Sequence, residues 1–272
     1  MSPPVLPQEL IDILIDHLYD ETKTLEACSL VSRSWVASSH YHLFYQVQLG
    51  RSDVQEGSKF LQVLNTSISL RTSIRVLLLR GASICVAPHA LVSLLDSLPN
   101  VHSLRMYGIT CQLTPGTPVQ WTRTQKLRRL ELSGFEALRG EVINTMAFFC
   151  RVPVRELMLC DWEVLPISLH QALHQILPDD SVEGLLHDWE VESLLFVDNL
   201  PPDALEIARM TISTQHLRSL DASEQASWAM PHNLSALLTD VGQHLTHLRL
   251  DATGLYTRST EGTYLSFPSC FS

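Results

Sequence analysis

The stretch Leu127-Arg128-Arg129-Leu130-Glu131-Leu132 has a pattern, apolar-x-x-Leu-x-apolar, that recurs along most of the chain. Matching segments begin at Ile74, Val101, Leu127, Val154, Val191, Leu217 and Leu245. Their starts are separated by 27, 26, 27, 37, 26 and 28 residues. A nearly constant period is typical of solenoids, in which each repeat buries its apolar face against its neighbours. The pattern therefore predicts seven short parallel strands over residues 73–255.

The intervals between these segments predict helices. Apolar stretches at helical spacing occur at residues 90–98, 142–149, 203–211 and 235–245. We expect a curved α/β solenoid with parallel strands on the concave side and helices on the convex side. Gly81, Gly108 and Gly134 follow the first three strands at the same position and are expected to form turns. The long step adds residues within 161–190, either as a spacer or as part of a binding face, and the tail 256–272 is expected to be irregular.

The repeat resembles the leucine-rich-repeat class, whose period is about 20–29 residues. Five of the six steps fall within that range. The chain departs from the class where an asparagine ladder is expected after the strands. The residues at that position are Ala82, Ile109, Phe135, Trp162, Asn199, Gln225 and Thr253. Because one of the seven is asparagine, we expect the hydrogen bonding at the turns to differ from that of the class.

The N-terminus is predicted to begin with an amphipathic helix. Pro7 suits a first helical turn because it lacks an N–H that would have no partner there, and Glu9 suits the positive end of the helix dipole. Apolar side chains then cover an arc of about 200°, twice what a surface helix needs. They are Leu10, Ile11, Ile13, Leu14, Ile15 and Leu18. With Asp12 and Asp16 on the polar side, part of this arc is expected to contact a separate protein or the solenoid behind it.

Two more short helices are predicted, at residues 24–30 and 33–40, with Trp35 as a core residue. Residues 4–49 resemble an F-box. The similarity lies in Leu6-Pro7-x-Glu9-Leu10, Ile13, Leu18, Cys28-Ser29-Leu30-Val31-Ser32-Arg33-Ser34-Trp35 and Leu43-Phe44. It implies a three-helix module that binds the Skp adaptor of a cullin–RING ubiquitin ligase, with residues 50–72 as a linker or capping helix. The positions that would contact the adaptor are Leu6, Pro7, Leu10, Ile13 and Leu14.

Both resemblances together imply a substrate-recognition adaptor of an SCF-type ubiquitin ligase, in which the repeats bind a protein substrate. The first alternative is a leucine-rich-repeat scaffold without a connection to ubiquitination, in which the first helices only cap the solenoid. A second alternative is a hydrolase whose site assembles only in three dimensions. Binding of the Skp adaptor would separate the first alternative from the ligase role, and a clustered pocket of perturbed titratable groups would favour the second.

The charge distribution gives a hypothesis about the substrate. The net charge is −10, which disfavours nucleic acid, yet residues 49–130 carry ten basic and three acidic side chains. Arginines outnumber acids at the strand positions expected on the concave surface. The proposed substrate-binding set is Arg75, Arg105, Arg128, Arg129 and Arg155. Arginine suits bidentate binding of an acidic or phosphorylated segment, whereas the alternative is local pairing with Glu131 and Glu156.

The sequence predicts no enzyme, cofactor or metal site. His170 and His174 have the spacing of an H-E-x-x-H motif but lack its glutamate, and His244 and His247 are interpreted as surface histidines. Motifs of the G-x-S-x-G, Walker or G-x-G-x-x-G type do not occur. The six cysteines form no C-x-x-C pair, and the sequence shows neither a signal peptide nor a membrane span. We therefore expect an intracellular protein, in the cytoplasm or nucleus, with reduced cysteines.

Overall fold

The computed structural model describes residues 6–50, 58–111, 126–138, 145–150, 152–165, 189–197, 202–224 and 231–250. Its centre is an open sheet of eight parallel strands, each paired with the next along the chain. The strands are β1 (Gln46–Leu49), β2 (Val76–Val86), β3 (Ser103–Cys111), β4 (Leu127–Leu138), β5 (Val154–Leu165), β6 (Val191–Val197), β7 (Ser219–Glu224) and β8 (His247–Leu250). The predicted α/β class with parallel strands at the seven repeat segments is confirmed.

Helices precede the sheet and connect its strands. They are α1 (Gln8–Asp16), α2 (Thr22–Val31), α3 (Arg33–Leu43), α4 (Ser58–Thr66), α5 (Ile68–Ser73), α6 (Pro88–Asp96), α7 (Pro202–Thr211) and α8 (Pro231–Val241). Residues 145–149 are also helical. The predicted linker 50–72 thus contains α4 and most of α5. The predicted helix at 235–245 begins four residues earlier, at Pro231, which suits a first helical turn.

The core follows from the period of two in the strands, which places alternate residues on one side of the sheet. In each repeat the two later apolar residues face this side, as Leu130 and Leu132 do in β4. Leu77, Leu104, Leu130, Leu157, Leu194, Leu220 and Leu248 form one row in register across seven strands. The row packs with helix residues such as Leu91 and Ile207 in one hydrophobic core.

Strand β1 was not predicted. It pairs with β2 from Gln46↔Val76 to Leu49↔Leu79, and Leu49 is buried in the core. Its four residues are too few for the six-residue repeat pattern, so a search for that pattern misses it. The segment 4–49 consequently ends in the first strand of the sheet.

The predicted turns at Gly81, Gly108 and Gly134 are wrong, because all three glycines lie inside strands. Gly108 and Gly134 have φ of 62° and 64°, and Asp161 in β5 has φ of 49°. This left-handed backbone changes the direction of a strand without ending its pairing: β4 and β5 remain in register on both sides of Gly134 and Asp161. The strands are therefore longer than the repeat pattern alone indicated.

Several predictions concern residues outside the described ranges. These are the tail 256–272, most of the segment 161–190, and the pair His170 and His174. Among the cysteines whose side chains the structure describes, Cys28, Cys111, Cys150 and Cys160 are buried and form no disulfide.

Candidate binding surfaces

Helix α1 divides its apolar arc between a buried half and an exposed half. Ile11 and Ile15 are buried against Leu25 of α2, and Leu18 and Trp35 pack partly against the same cluster. Trp35, predicted as a core residue, is partly buried and packs against this cluster from its edge.

The exposed half of the arc contains the residues predicted to contact an adaptor. Leu6, Leu10, Ile13 and Leu14 keep 49%, 48%, 52% and 49% of their surface exposed, and Pro7 at the helix start is also exposed. At 100° per residue, Leu10, Ile13 and Leu14 span an arc of about 100°. We call Leu6, Leu10, Ile13 and Leu14 the α1 stripe.

The polar side of α1 faces α3 as well as solvent. Ser38 of α3 donates a hydrogen bond to Asp12, and this bond, followed by one from Gln8, lowers the pKa of the Asp12 carboxyl. His42 Nε2 lies 2.7 Å from Asp16 Oδ1. Helix α1 therefore contacts α3 through carboxylates, and the α1 stripe faces away from this contact.

The sheet presents a second surface, on the side opposite its core. Positions that alternate with the buried leucines form a row in register there. The row is Leu78, Arg105, Glu131, Met158, Leu195, Asp221 and Arg249. All but the exposed Arg249 are half-buried, so this side of the sheet combines apolar and charged side chains at partial exposure.

Two of the five predicted substrate-binding arginines lie on this surface, and both are paired. Arg105 Nε lies 3.4 Å from Glu131 Oε2. Arg129 Nη2 lies 3.7 Å from the same Glu131 oxygen, and Arg129 Nη1 lies 3.3 Å from Glu156 Oε1. This is the local pairing named above as the alternative to anion binding, and it neutralises much of the positive charge at the centre of the sheet.

The other three arginines lie at the N-terminal ends of strands. Arg155 pairs with Glu192 at 3.4 Å. Arg75 donates to the carbonyl oxygen of Thr72 and lies over the Tyr41 ring, 5.8 Å from its centroid. Arg128 is exposed and has no ion pair with any residue that the structure describes. The structure thus separates the predicted set into two places instead of one.

Sequence reasoning did not select His102 and Tyr45 as site residues, although His102 occupies the same repeat position as Arg75 and Arg128. The ring centroids of Tyr45 and His102 are 6.5 Å apart. The signal that could have found His102 is its place between two arginines in the repeat alignment. Tyr45 had no such signal, because it precedes the unpredicted strand β1.

Neither a metal site, a membrane-spanning helix nor a known relative was found for the described part of this chain. Within the described ranges, no three His, Cys, Asp or Glu side chains form a group that could hold a metal ion. None of the described helices combines the length and apolar character needed to cross a membrane. No protein-family model matches the chain, and no curated protein matches its sequence.

Proposed function

We propose that the protein is a substrate-recognition adaptor of an SCF-type ubiquitin ligase. An F-box-like module at residues 4–49 would bind the Skp adaptor, and a leucine-rich-repeat-like solenoid would bind a protein substrate. The observation that carries the proposal is the exposed α1 stripe, whose residues match the F-box positions that contact the adaptor. The protein would perform no chemistry itself, because its contribution is proximity between substrate and ligase.

The size of the α1 stripe decides how much of such an interface it can supply. Burying the exposed half of one large apolar side chain contributes about 1 kcal/mol. The four residues of the stripe together fall well short of the roughly 8 kcal/mol that a micromolar complex needs. The partner must therefore contact more of the module, which also exposes Tyr19, Leu30 and Val31.

The sheet supports the substrate half of the proposal. Its outward row brings side chains from seven consecutive strands into register, and these side chains remain partly exposed. Strands separated in sequence by about one repeat thus present one extended surface, which is how solenoids bind protein partners. Substrate binding by the arginine set remains part of this proposal, with the ion pairs to Glu131 and Glu156 as competitors for any acidic ligand.

A repeat scaffold without a ligase connection is the second candidate, and one observation favours it. The carbonyl oxygen of Tyr45 accepts hydrogen bonds from the backbone N–H groups of Arg75 and Val76, each at 2.9 Å. The segment after α3 is thereby joined to the edge of the sheet, as expected if the first helices serve to cap the repeats.

Capture of the Skp adaptor from cells in which degradation is blocked separates the two candidates. We expect the intact chain to capture the adaptor and a Leu10→Asp, Leu14→Asp variant to lose at least tenfold of that capture, because two charges would be buried without partners. The matched control is Val63→Asp, Ile68→Asp, which changes residues 52% and 69% exposed on α4 and α5. Absence of adaptor from the intact chain, or its retention by the first variant, would contradict the ligase proposal.

A further inference from the structure

We propose that Arg75, His102 and Arg128 form a binding site for a phosphate group at the N-terminal ends of β2, β3 and β4, and that this group belongs to a phosphorylated segment of a protein substrate. The inference rests on the proposed substrate-binding role of the repeats. Of the five arginines in the proposed substrate-binding set, this site uses two, Arg75 and Arg128, and it adds His102.

Backbone hydrogen bonds place the three residues side by side at the starts of neighbouring strands. The N–H of His102 donates to the carbonyl oxygen of Arg75 at 3.0 Å, and the N–H of Arg128 donates to the carbonyl oxygen of His102 at 2.7 Å. Adjacent parallel strands lie about 4.8 Å apart, so the three residues occupy successive positions along one edge of the sheet. Long arginine side chains on either side of an imidazole can reach the same anion.

Among the described residues, no carboxylate pairs with the arginines of this cluster. Arg155, the next residue in the row, pairs with Glu192, but neither Arg75 nor Arg128 forms an ion pair with a described residue. Arg75 and Arg128 lie two strands apart on either side of His102, so a protonated His102 would place like charges on adjacent strands, which is destabilising unless something offsets them. A bound anion would supply that offset.

The cluster also has hydrogen-bond donors to spare. A guanidinium has five donors, and a single side-chain bond of Arg75 is seen, from Nη1 to the Thr72 carbonyl oxygen at 2.8 Å. The Nδ1 atom of His102 is buried and has no hydrogen-bond partner outside its own residue in the described structure. Because Nδ1 is shielded from solvent, an external anion would contact the half-buried ring through its other nitrogen, Nε2.

The surroundings of His102 predict how binding depends on pH. The groups that face it are Tyr45 from the β1 side, Arg75 before β2 and Arg128 in β4. Burial, then Arg128, then Arg75 lower the pKa of His102 below its ordinary 6.5. A phosphate favours the protonated imidazole and raises that pKa. Binding and protonation of His102 therefore favour each other as the pH falls, whereas protonation of the phosphate itself, whose second pKa is about 6, weakens binding. The imidazole thus makes the loss of affinity at low pH smaller than it would be without His102.

The test measures binding to the full chain of a short synthetic peptide that contains one phosphoserine. The unphosphorylated peptide and inorganic phosphate serve as comparison ligands. Proton NMR follows the His102 ring, identified by its loss in His102→Asn. We expect the phosphopeptide to raise the His102 pKa, and the ratio of its affinity at pH 6 to its affinity at pH 8 to be several-fold larger for the parent chain than for His102→Asn. Arg128→Gln should weaken binding at least tenfold, since it removes a charge-assisted bond.

The matched control is Arg218→Gln, which changes an exposed arginine at the equivalent position before β7 and should leave binding unchanged. Equal binding of both peptides, or unchanged binding by Arg128→Gln, overturns the site. Inorganic phosphate that binds as tightly as the phosphopeptide overturns its assignment to a substrate segment. Adaptor capture is measured on the same variants: a working phosphate site without adaptor capture refutes the ligase role alone, and the reverse result refutes this inference alone.

Discussion

At Gly108, strand β3 passes so close to β2 that no side chain has room. A Cβ atom there would lie 2.0 Å from the carbonyl oxygen of Gly81. One strand later, a Cβ at Gly134 would lie 2.9 Å from the ring of Tyr107, which in turn lies under the guanidinium of Arg80 at 5.2 Å. Glycine is thus needed for both its left-handed backbone and its lack of a side chain.

We expect Gly108→Ala to lower the free energy of unfolding by at least about 2 kcal/mol, because left-handed strain adds to the contact with Gly81. Urea unfolding followed by circular dichroism measures the change. The control is Asp161→Gly, at the corresponding bend in β5, where an exposed non-glycine residue already has positive φ. This substitution should leave stability unchanged or raise it, and an Ala variant as stable as the parent would disprove the packing argument.

At the scale of the elements, α1 differs from an ordinary surface helix, since apolar residues cover two of its sides. The side with Ile11 and Ile15 forms the core of the helical module, and the α1 stripe covers the other. Polar contacts to Ser38 and His42 hold the remaining side against α3. Stability and binding are therefore assigned to different faces of one helix.

This division can be tested with a matched pair of isoleucines. Ile15→Ala should lower the free energy of unfolding by about 2–4 kcal/mol, because Ile15 is fully buried. Ile13→Ala removes the same atoms from a residue 52% exposed and should change it by less than about 0.5 kcal/mol. Hydrogen exchange of the α1 amides reports the local effect; equal losses of protection in both variants would show that the two faces are not distinct.

Across the part of the molecule that the structure describes, the strands follow chain order, so each one is paired with the strands next to it in sequence. Stability in such an array is approximately a sum of repeat and neighbour terms. Leu157 in β5 is fully buried, with Leu130 and Leu194 beside it in register. Leu248 in β8, the last described strand, is half-buried.

We accordingly expect Leu157→Ala to lower the free energy of unfolding by about 2–5 kcal/mol and Leu248→Ala by less than about 1.5 kcal/mol. Urea unfolding of both variants provides the comparison. An equal or larger effect at Leu248 would mean that β8 has neighbours beyond those described.

The sequence by itself determined the parallel α/β architecture, because a six-residue apolar pattern repeated at nearly constant spacing requires equivalent strands that bury the same side. It also determined that α1 has more apolar surface than its own module can bury. Both properties are local and periodic, and therefore visible in one dimension. The F-box and leucine-rich-repeat resemblances remain predictions.

Tertiary structure alone decided which half of the α1 arc is buried, since either half satisfies the helical period. Tertiary structure also decided that Gly108 lies within a strand and not in a turn. The reason for glycine there is the close approach of Gly81, which belongs to the preceding repeat and is therefore not visible in the local sequence. It also separated the arginines, pairing Arg105 and Arg129 with Glu131 and leaving Arg128 beside His102. The direction of a long charged side chain and its distance to a partner depend on neighbouring strands, which a linear pattern does not encode.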